Sequence, residues 1–268
     1  MMYDIHNHLI YQFDDGPASL EEVVEMLKMA RDQGITRVFA TSHFQELIPP
    51  ELEEHYFRKL TELQDRLEHE NIPIQVFSGS EIFFHHYMNE TVKRSRVGTL
   101  AGLGKYVLLE FPLFLMPSGV SEALFKLKMD GLVPIIAHPE RYSSVLENPE
   151  TVLEYLKYGA LLQVNAGSVT GDFGRRVQKI AMWMVEHRLV HFLGSDAHNA
   201  RGRTFRLAEA VKQLRRHVEE DYIQALVEHF PARILKNEDP EPIQIPEPEE
   251  QRGFFSRLKQ KLFSLGKG

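Results

Sequence analysis

Nine side chains suited to holding cations recur at one kind of place in this sequence, at or just beyond its short β-rich runs. They are His6 and His8, Asp15, His43, Glu81, Glu110, His138, and Asp196 with His198. Five imidazoles and four carboxylates are too many for one ion and suit a cluster of two or three. The mixed nitrogen and oxygen set fits Mn, Fe or Zn without selecting among them. A cluster of this kind brings the pKa of water down to about 7. The predicted chemistry is metal-dependent hydrolysis.

Each motif is weaker alone than in company. Residues two apart on a strand share a face, so His6 and His8 can hold one ion, yet a solitary His-x-His also describes polar residues leaving a strand. Asp14-Asp15-Gly16-Pro17 is turn-forming in every residue, and either Asp15 or its rival Asp14 supplies the carboxylate. Thr41-Ser42-His43, Gly79-Ser80-Glu81 and Leu108-Leu109-Glu110 end successive strands. A carboxylate directly after an apolar run needs a partner, and a cation is a good one. Ile135-Ile136-Ala137-His138-Pro139-Glu140-Arg141 and Ser195-Asp196-Ala197-His198-Asn199 are more specific, because an apolar strand delivers ligands with few alternative uses. His55, His69, His187, His217 and His229 fall in helical patterns and read as bystanders. His191 reads as packing beside the barrel, and His85 and His86 read first as bystanders, with the border of its mouth as the lesser alternative.

The elements that must position these groups alternate along the chain. Strands are expected at Tyr3–Ile5, Arg37–Ala40, Ile74–Phe77, Tyr106–Leu109, Val133–Ala137, Leu161–Val164 and Val190–Leu193. Helices are expected at Leu20–Gln33 (with Ser19 as N-cap and Gly34 beyond its end), Glu51–Glu70, Val120–Met129, Thr151–Tyr158, Val177–His187 and Phe205–Arg215. Such alternation means a parallel barrel or a doubly wound sheet. An open sheet gathers only the strand ends at its switch point, whereas a barrel brings every strand end to one mouth. The number of ligand-bearing ends favours an α/β fold of the TIM-barrel-like kind, a distorted (β/α)7 barrel.

Composition narrows the function. The absence of cysteine rules out disulfides, thiolate zinc sites and cysteine-based phosphatases. Neither a signal peptide nor a run of about 18 apolar residues is present, so a cytoplasmic location is expected. The net charge of −7 is uneven. Residues 252–268 carry five basic groups and no acid, leaving 26 basic against 38 acidic side chains elsewhere, a balance of −12. So acidic a body is a poor ligand for nucleic acid. Residues 237–251 are proline-rich and acidic and read as an extended linker after a barrel domain of residues 2–236. In residues 252–268, Phe255, Leu258, Leu262 and Leu265 fall at helical spacing among Lys and Arg, which reads either as docking to a membrane surface or a partner or as a disordered terminus.

Taken together, His6-Asn7-His8, FDDGPAS, TSHF, GSEI, LLEFP, AHPERY, NAGSVTGDFG and GSDAHN resemble the PHP superfamily of metallohydrolases. Within it they resemble the bacterial protein-tyrosine phosphatases encoded with capsule and exopolysaccharide systems. The resemblance implies three ions, often manganese. One would take His6, His8, Glu81 and Asp196; a second would share Glu81 and add Glu110 and His138; a third would use Asp15, His43 and His198. The choice of Asp15 over Asp14 follows the family pattern. Arg141 and Arg203 align with arginines that hold phosphate, while Arg201 and Arg206 read as surface ion-pair residues. The implied substrate is phosphotyrosine on protein, commonly a membrane-associated tyrosine kinase, which would place the chain at the inner face of the membrane. Phe83, Phe84, Phe111 and Phe114 are candidates for the wall of a phenol pocket or for core. The alternatives are a histidinol-phosphate or other small-molecule phosphatase, a DNA exonuclease, and a metal-stabilised binding module without turnover.

Overall fold

A computed structural model of the chain describes residues 1–45 and 48–241. Seven strands pair in chain order, every neighbour parallel: β1 (Met2–Asn7), β2 (Ile35–Phe44), β3 (Gln75–Phe83), β4 (Tyr106–Glu110), β5 (Val133–Ala137), β6 (Leu161–Asn165) and β7 (Phe192–Gly194). The sheet closes at its carboxyl end. Asn7 bridges Ala197 in parallel, the Asp196 amide donates to the His6 carbonyl at 2.7 Å, and the His8 amide donates to the Ala197 carbonyl at 2.8 Å. The result is the expected distorted seven-stranded barrel, sealed by the segments that carry four of the nine candidate ligands.

Two apolar clusters hold it together. Ile5, Phe39, Leu108, Ile135, Leu161 and Phe192 fill the barrel interior, with Leu100 and Ile234 packed against them. Outside, the helices bury one stripe each. Helix Leu20–Asp32 turns Val23, Val24, Met26, Leu27 and Ala30 inward, and its first turn is capped by Ser19, whose Oγ accepts from the Glu22 amide at 3.2 Å. Helix Pro50–His69 starts on a proline that donates no hydrogen bond and buries Tyr56, Leu60, Leu63 and Leu67 at three- and four-residue steps.

Strands β2 and β3 run further than their apolar cores predict. They continue through Thr41-Ser42-His43 and Gly79-Ser80-Glu81, with His43 in register with Glu81. Ser42, Gly79 and Ser80 do not read as β-formers, but they lie next to the ligand candidates at the mouth of the barrel. Residues 237–241, read as the start of a linker, are tied to the barrel. Tyr106 Oη donates to the Glu238 carbonyl at 2.7 Å, and Lys105 pairs with Asp239 at 2.7 Å. The basic segment 252–268 lies outside the described residues.

Candidate metal centre

Strict strand alternation would scatter the predicted ligands between the two faces of the sheet. Three local departures aim them into the mouth. In β1 three steps from Asp4 to Asn7 match two steps along β2, a bulge that lets Ile5 and His6 both serve the interior. His138 follows the inward Ala137 and takes a left-handed backbone, φ 33°, and Asp196 does the same at φ 53°. Such backbone costs about 1–3 kcal/mol at each position. Each fully buried Leu, Ile or Phe of the barrel interior repays a similar amount, about 1.5–3 kcal/mol.

All nine side chains converge. Glu81 stands at the centre: its carboxylate lies 3.2 Å from His6 Nε2, 3.3 Å from His8 Nε2, 3.1 Å from His43 Nδ1 and 3.1 Å from His138 Nε2. Asp196 Oδ1 lies 3.6 Å from both His6 and His8 Nε2. Glu110 is 3.5 Å from His138 and 3.6 Å from His43. Asp15 is 3.2 Å from His198 Nε2 and 3.5 Å from His43 Nε2. Donor atoms around an ion bound at about 2.0–2.1 Å stand roughly 3.0–3.4 Å apart, so this spacing suits coordination polyhedra. Four ligand groupings are compatible with it: His8, Asp15, His43 and His198; His6, His8 and Glu81; His6, His138 and Asp196; and His43, Glu81 and Glu110.

The donor set fits cations on a second count. His6 Nε2, His8 Nε2, Glu81 Oε2 and His198 Nε2 are buried without a well-formed hydrogen bond, which is costly unless an ion satisfies them. The floor of the cage is sealed, but the rim is open. His43, Glu110 and Asp15 are 35%, 16% and 61% exposed. An open rim belongs to catalytic rather than structural sites.

The two aspartates of the turn divide their duties. Asp14 Oδ2 accepts from His8 Nδ1 at 2.8 Å and from the His43 amide at 2.9 Å. It holds two candidate ligands in place while Asp15 reaches the cage. Gly16 permits this, since a Cβ there would meet Asp14 Oδ1 and the His8 carbonyl at 2.9 Å each. Sequence reasoning also passed over Gln163, Asn165 and Asp4. Gln163 and Asn165 lie in β6, which contributes no candidate ligand, and Asn165 figured only as the start of NAGSVTGDFG. Asp4 Oδ1 accepts from the Ser195 amide at 3.0 Å and ties β1 to β7.

Arg141 and Arg203 both reach the site, where each donates to Asp196 Oδ2, at 2.9 Å and 2.6 Å. Arg203 Nε is buried without an acceptor. Arg206 instead pairs with Asp172 at 2.7 Å and Glu209 at 3.0 Å, the surface role expected of it. Phe84 and Phe111 are core, whereas Phe83 and Phe114 are exposed, Phe114 at 88%. The cleft beside Asp196, about 340 Å³, is walled by Phe173, Gly167, Thr204 and Arg203, and the Arg141 guanidinium lies 4.6 Å from the Phe173 ring centre. His191 packs beneath the barrel, where its Nδ1 accepts from the Leu162 amide at 3.2 Å.

Burial alone would lower His6 and His8, but Glu81 and Asp196 push His6 up to about 9, and Asp14 with Glu81 pushes His8 up to about 10. Burial, then the charge of Glu81, raises Glu110 to about 7. Groups raised above their unfolded values stabilise the fold at low pH. The histidine contribution is complete below about 6.5 and disappears as pH climbs through 9 to 10. Bound cations act oppositely, because ligands must lose protons to coordinate. The rise in Tm on adding Mn²⁺ to chelator-stripped protein is therefore expected to be larger at pH 9 than at pH 6. Differential scanning fluorimetry checks this, and an equal rise at both pH values would contradict the protonation scheme.

A seven-stranded parallel barrel carrying an open imidazole–carboxylate cage defines the class: a metal-dependent hydrolase of the PHP type. The chain belongs to the CpsB/CapC family, described as capsular polysaccharide synthesis, whose profile matches residues 2–236. It is 31% identical to tyrosine-protein phosphatase YwqE of Bacillus subtilis over 254 residues, 95% of this chain and 99% of that one. It is 31% identical to tyrosine-protein phosphatase CpsB of Streptococcus agalactiae serotype III over 245 residues, covering 88% and 99% of the two chains. A crystal structure from work on YwqE of Bacillus subtilis and CpsB of Streptococcus pneumoniae, described as unique metal-dependent tyrosine phosphatases, superposes with a TM-score of 0.82 at 30% identity. That match covers 91% of this chain and all of the other. The fold also matches the Escherichia coli phosphotriesterase homology protein, TM-score 0.57 at 11% identity, over 87% and 97% of the chains.

Proposed function

We propose that this chain is a protein-tyrosine phosphatase that holds three cations, manganese foremost, through His6, His8, Asp15, His43, Glu81, Glu110, His138, Asp196 and His198. The observation that carries the reading is the pairing of an open cage with two arginines at its edge, beside a cleft of about 340 Å³ walled by Phe173. The cations supply Lewis acidity and a water of low pKa. The protein supplies the rest. Asp196 Oδ2 holds Arg141 and Arg203 at the rim, where their guanidinium groups receive phosphoryl oxygens through charge-assisted hydrogen bonds. Phe173 backs Arg141 and walls the cleft that takes the substrate ring. The phenolate leaving group, with a pKa of about 10, needs less proton assistance than an alkoxide.

The family's association with capsular polysaccharide synthesis supports a membrane-associated tyrosine kinase of that system as the substrate, met at the inner face of the membrane. No helix among the described residues is long and apolar enough to cross a membrane. Contact with the membrane surface would fall to residues 252–268.

The test compares phosphotyrosyl peptide with histidinol phosphate and phosphoserine peptide, using Mn²⁺-loaded protein. The expected result is a kcat/KM for phosphotyrosine at least about tenfold above the others, the equivalent of 1.4 kcal/mol in the transition state. Faster turnover of histidinol phosphate would move the assignment to a small-molecule phosphatase.

A further inference from the structure

Beneath the cage, two buried amides join a carboxylate and an imidazole that both face the candidate cation positions. Asp196 Oδ2 accepts from Asn165 Nδ2 at 2.8 Å. Asn165 Oδ1 accepts from Gln163 Nε2 at 2.8 Å. Gln163 Oε1 accepts from His6 Nδ1 at 2.7 Å. All four residues are 0–2% exposed, so water does not compete for these bonds.

The direction of the chain is set at one end. An ionised aspartate can only accept, so Asn165 must turn its NH₂ toward Asp196 and its oxygen toward Gln163. Gln163 must then offer its NH₂ to Asn165 and its oxygen to His6. His6 must then carry a proton on Nδ1, so Nε2 is the nitrogen left to face Glu81 and Asp196 Oδ1 and to take a cation. We infer that Gln163 and Asn165 are positioning residues that transmit the charge of Asp196 to the tautomer of His6, keeping His6 Nε2 ready for a cation. This rests on the metal-centre reading above.

Two further observations agree. The Asn165 backbone is pinned by Glu140, whose Oε1 accepts its amide at 2.9 Å, so the side chain has a fixed base. Gly194 makes room for the relay, since a Cβ there would lie 2.8 Å from Gln163 Nε2 and 2.9 Å from His6 Cβ. Partners that orient a metal-bound imidazole typically govern affinity by about 10–100-fold.

The decisive variants keep shape and change direction. Asn165→Asp places a second acceptor-only group against Asp196. Gln163→Glu still accepts from His6 but cannot donate to Asn165. Full-length wild-type and variant chains are stripped, equilibrated with Mn²⁺ against a competing chelator, and measured for bound metal by mass spectrometry and for Tm without metal. The expected result is a loss of about 10–100-fold in affinity at the position served by His6 and Asp196. Ions held by Asp15, His43 and His198 stay, which separates loss at one position from loss of the fold. If Asn165→Asp does not fold, Gln163→Met, which keeps the volume and removes both bonds, gives the same readout. Variants that bind metal as tightly and in the same number as wild type overturn the relay alone. A wild-type chain that binds no metal overturns the metal-centre reading beneath it.

Discussion

Glutamine in place of Glu81 is expected to cut kcat/KM for phosphotyrosyl peptide by roughly 10³-fold or more, beyond the 10–100-fold typical of residues that only support a ligand. The substitution preserves volume, so the barrel interior is undisturbed. It removes one charge from a carboxylate that faces four imidazoles within 3.3 Å. An amide offers one oxygen where Glu81 offers two, and its NH₂ would confront His6 and His138 or His8 and His43. Metal content should fall with activity, by more than a single ion, because Glu81 belongs to more than one possible ligand group. Steady-state kinetics and metal analysis on one preparation check both. Activity within tenfold of wild type would remove Glu81 from the centre of the mechanism.

Arg141→Ala and Arg203→Ala are each expected to lower kcat/KM by about 10²–10³-fold, the scale of losing a preorganised donor to developing charge. Lysine should not restore either one, since it lacks the planar fork that grips two oxygens. Metal content should hold. Asp196 Oδ2 accepts from Arg141, Arg203 and Asn165 together, so loss of one guanidinium leaves two donors on that oxygen. Inhibition by inorganic phosphate should weaken in parallel, while Arg201→Ala, at an exposed neighbour, leaves inhibition and turnover unchanged. Loss of metal from either arginine variant would recast these residues as supports for Asp196 rather than as anion holders.

The convergence of the nine side chains was legible in the sequence because histidines and carboxylates after apolar strands are chemically conspicuous and a barrel has one mouth. His138 and Asp196 stood out as charged or basic groups following apolar strands. The strand order and closure followed from the same reasoning. What stayed hidden was geometry that composition does not encode. The β1 bulge, together with the left-handed backbone at His138 and Asp196, overrides alternation, and nothing in DIHNH or IIAHP announces it. The short helices Met88–Arg94, Ser143–Glu147 and Ala166–Thr170 are too brief to show a period. Gln163 and Asn165 are neutral amides on a strand without ligands, so only coordinates reveal that they connect His6 to Asp196. The aromatic residues flanking β3 and β4 drew attention for a ring pocket, but two are core, and the cleft lies instead against Phe173.

The central claim is that the cage works by gathering cations. It is tested most directly by titrating Mn²⁺ into stripped full-length protein while bound metal and phosphotyrosine hydrolysis are followed in the same samples. The account predicts no turnover without metal and a rate that climbs with occupancy past the first ion. Hydrolysis at an undiminished rate by protein shown to contain no metal would contradict it.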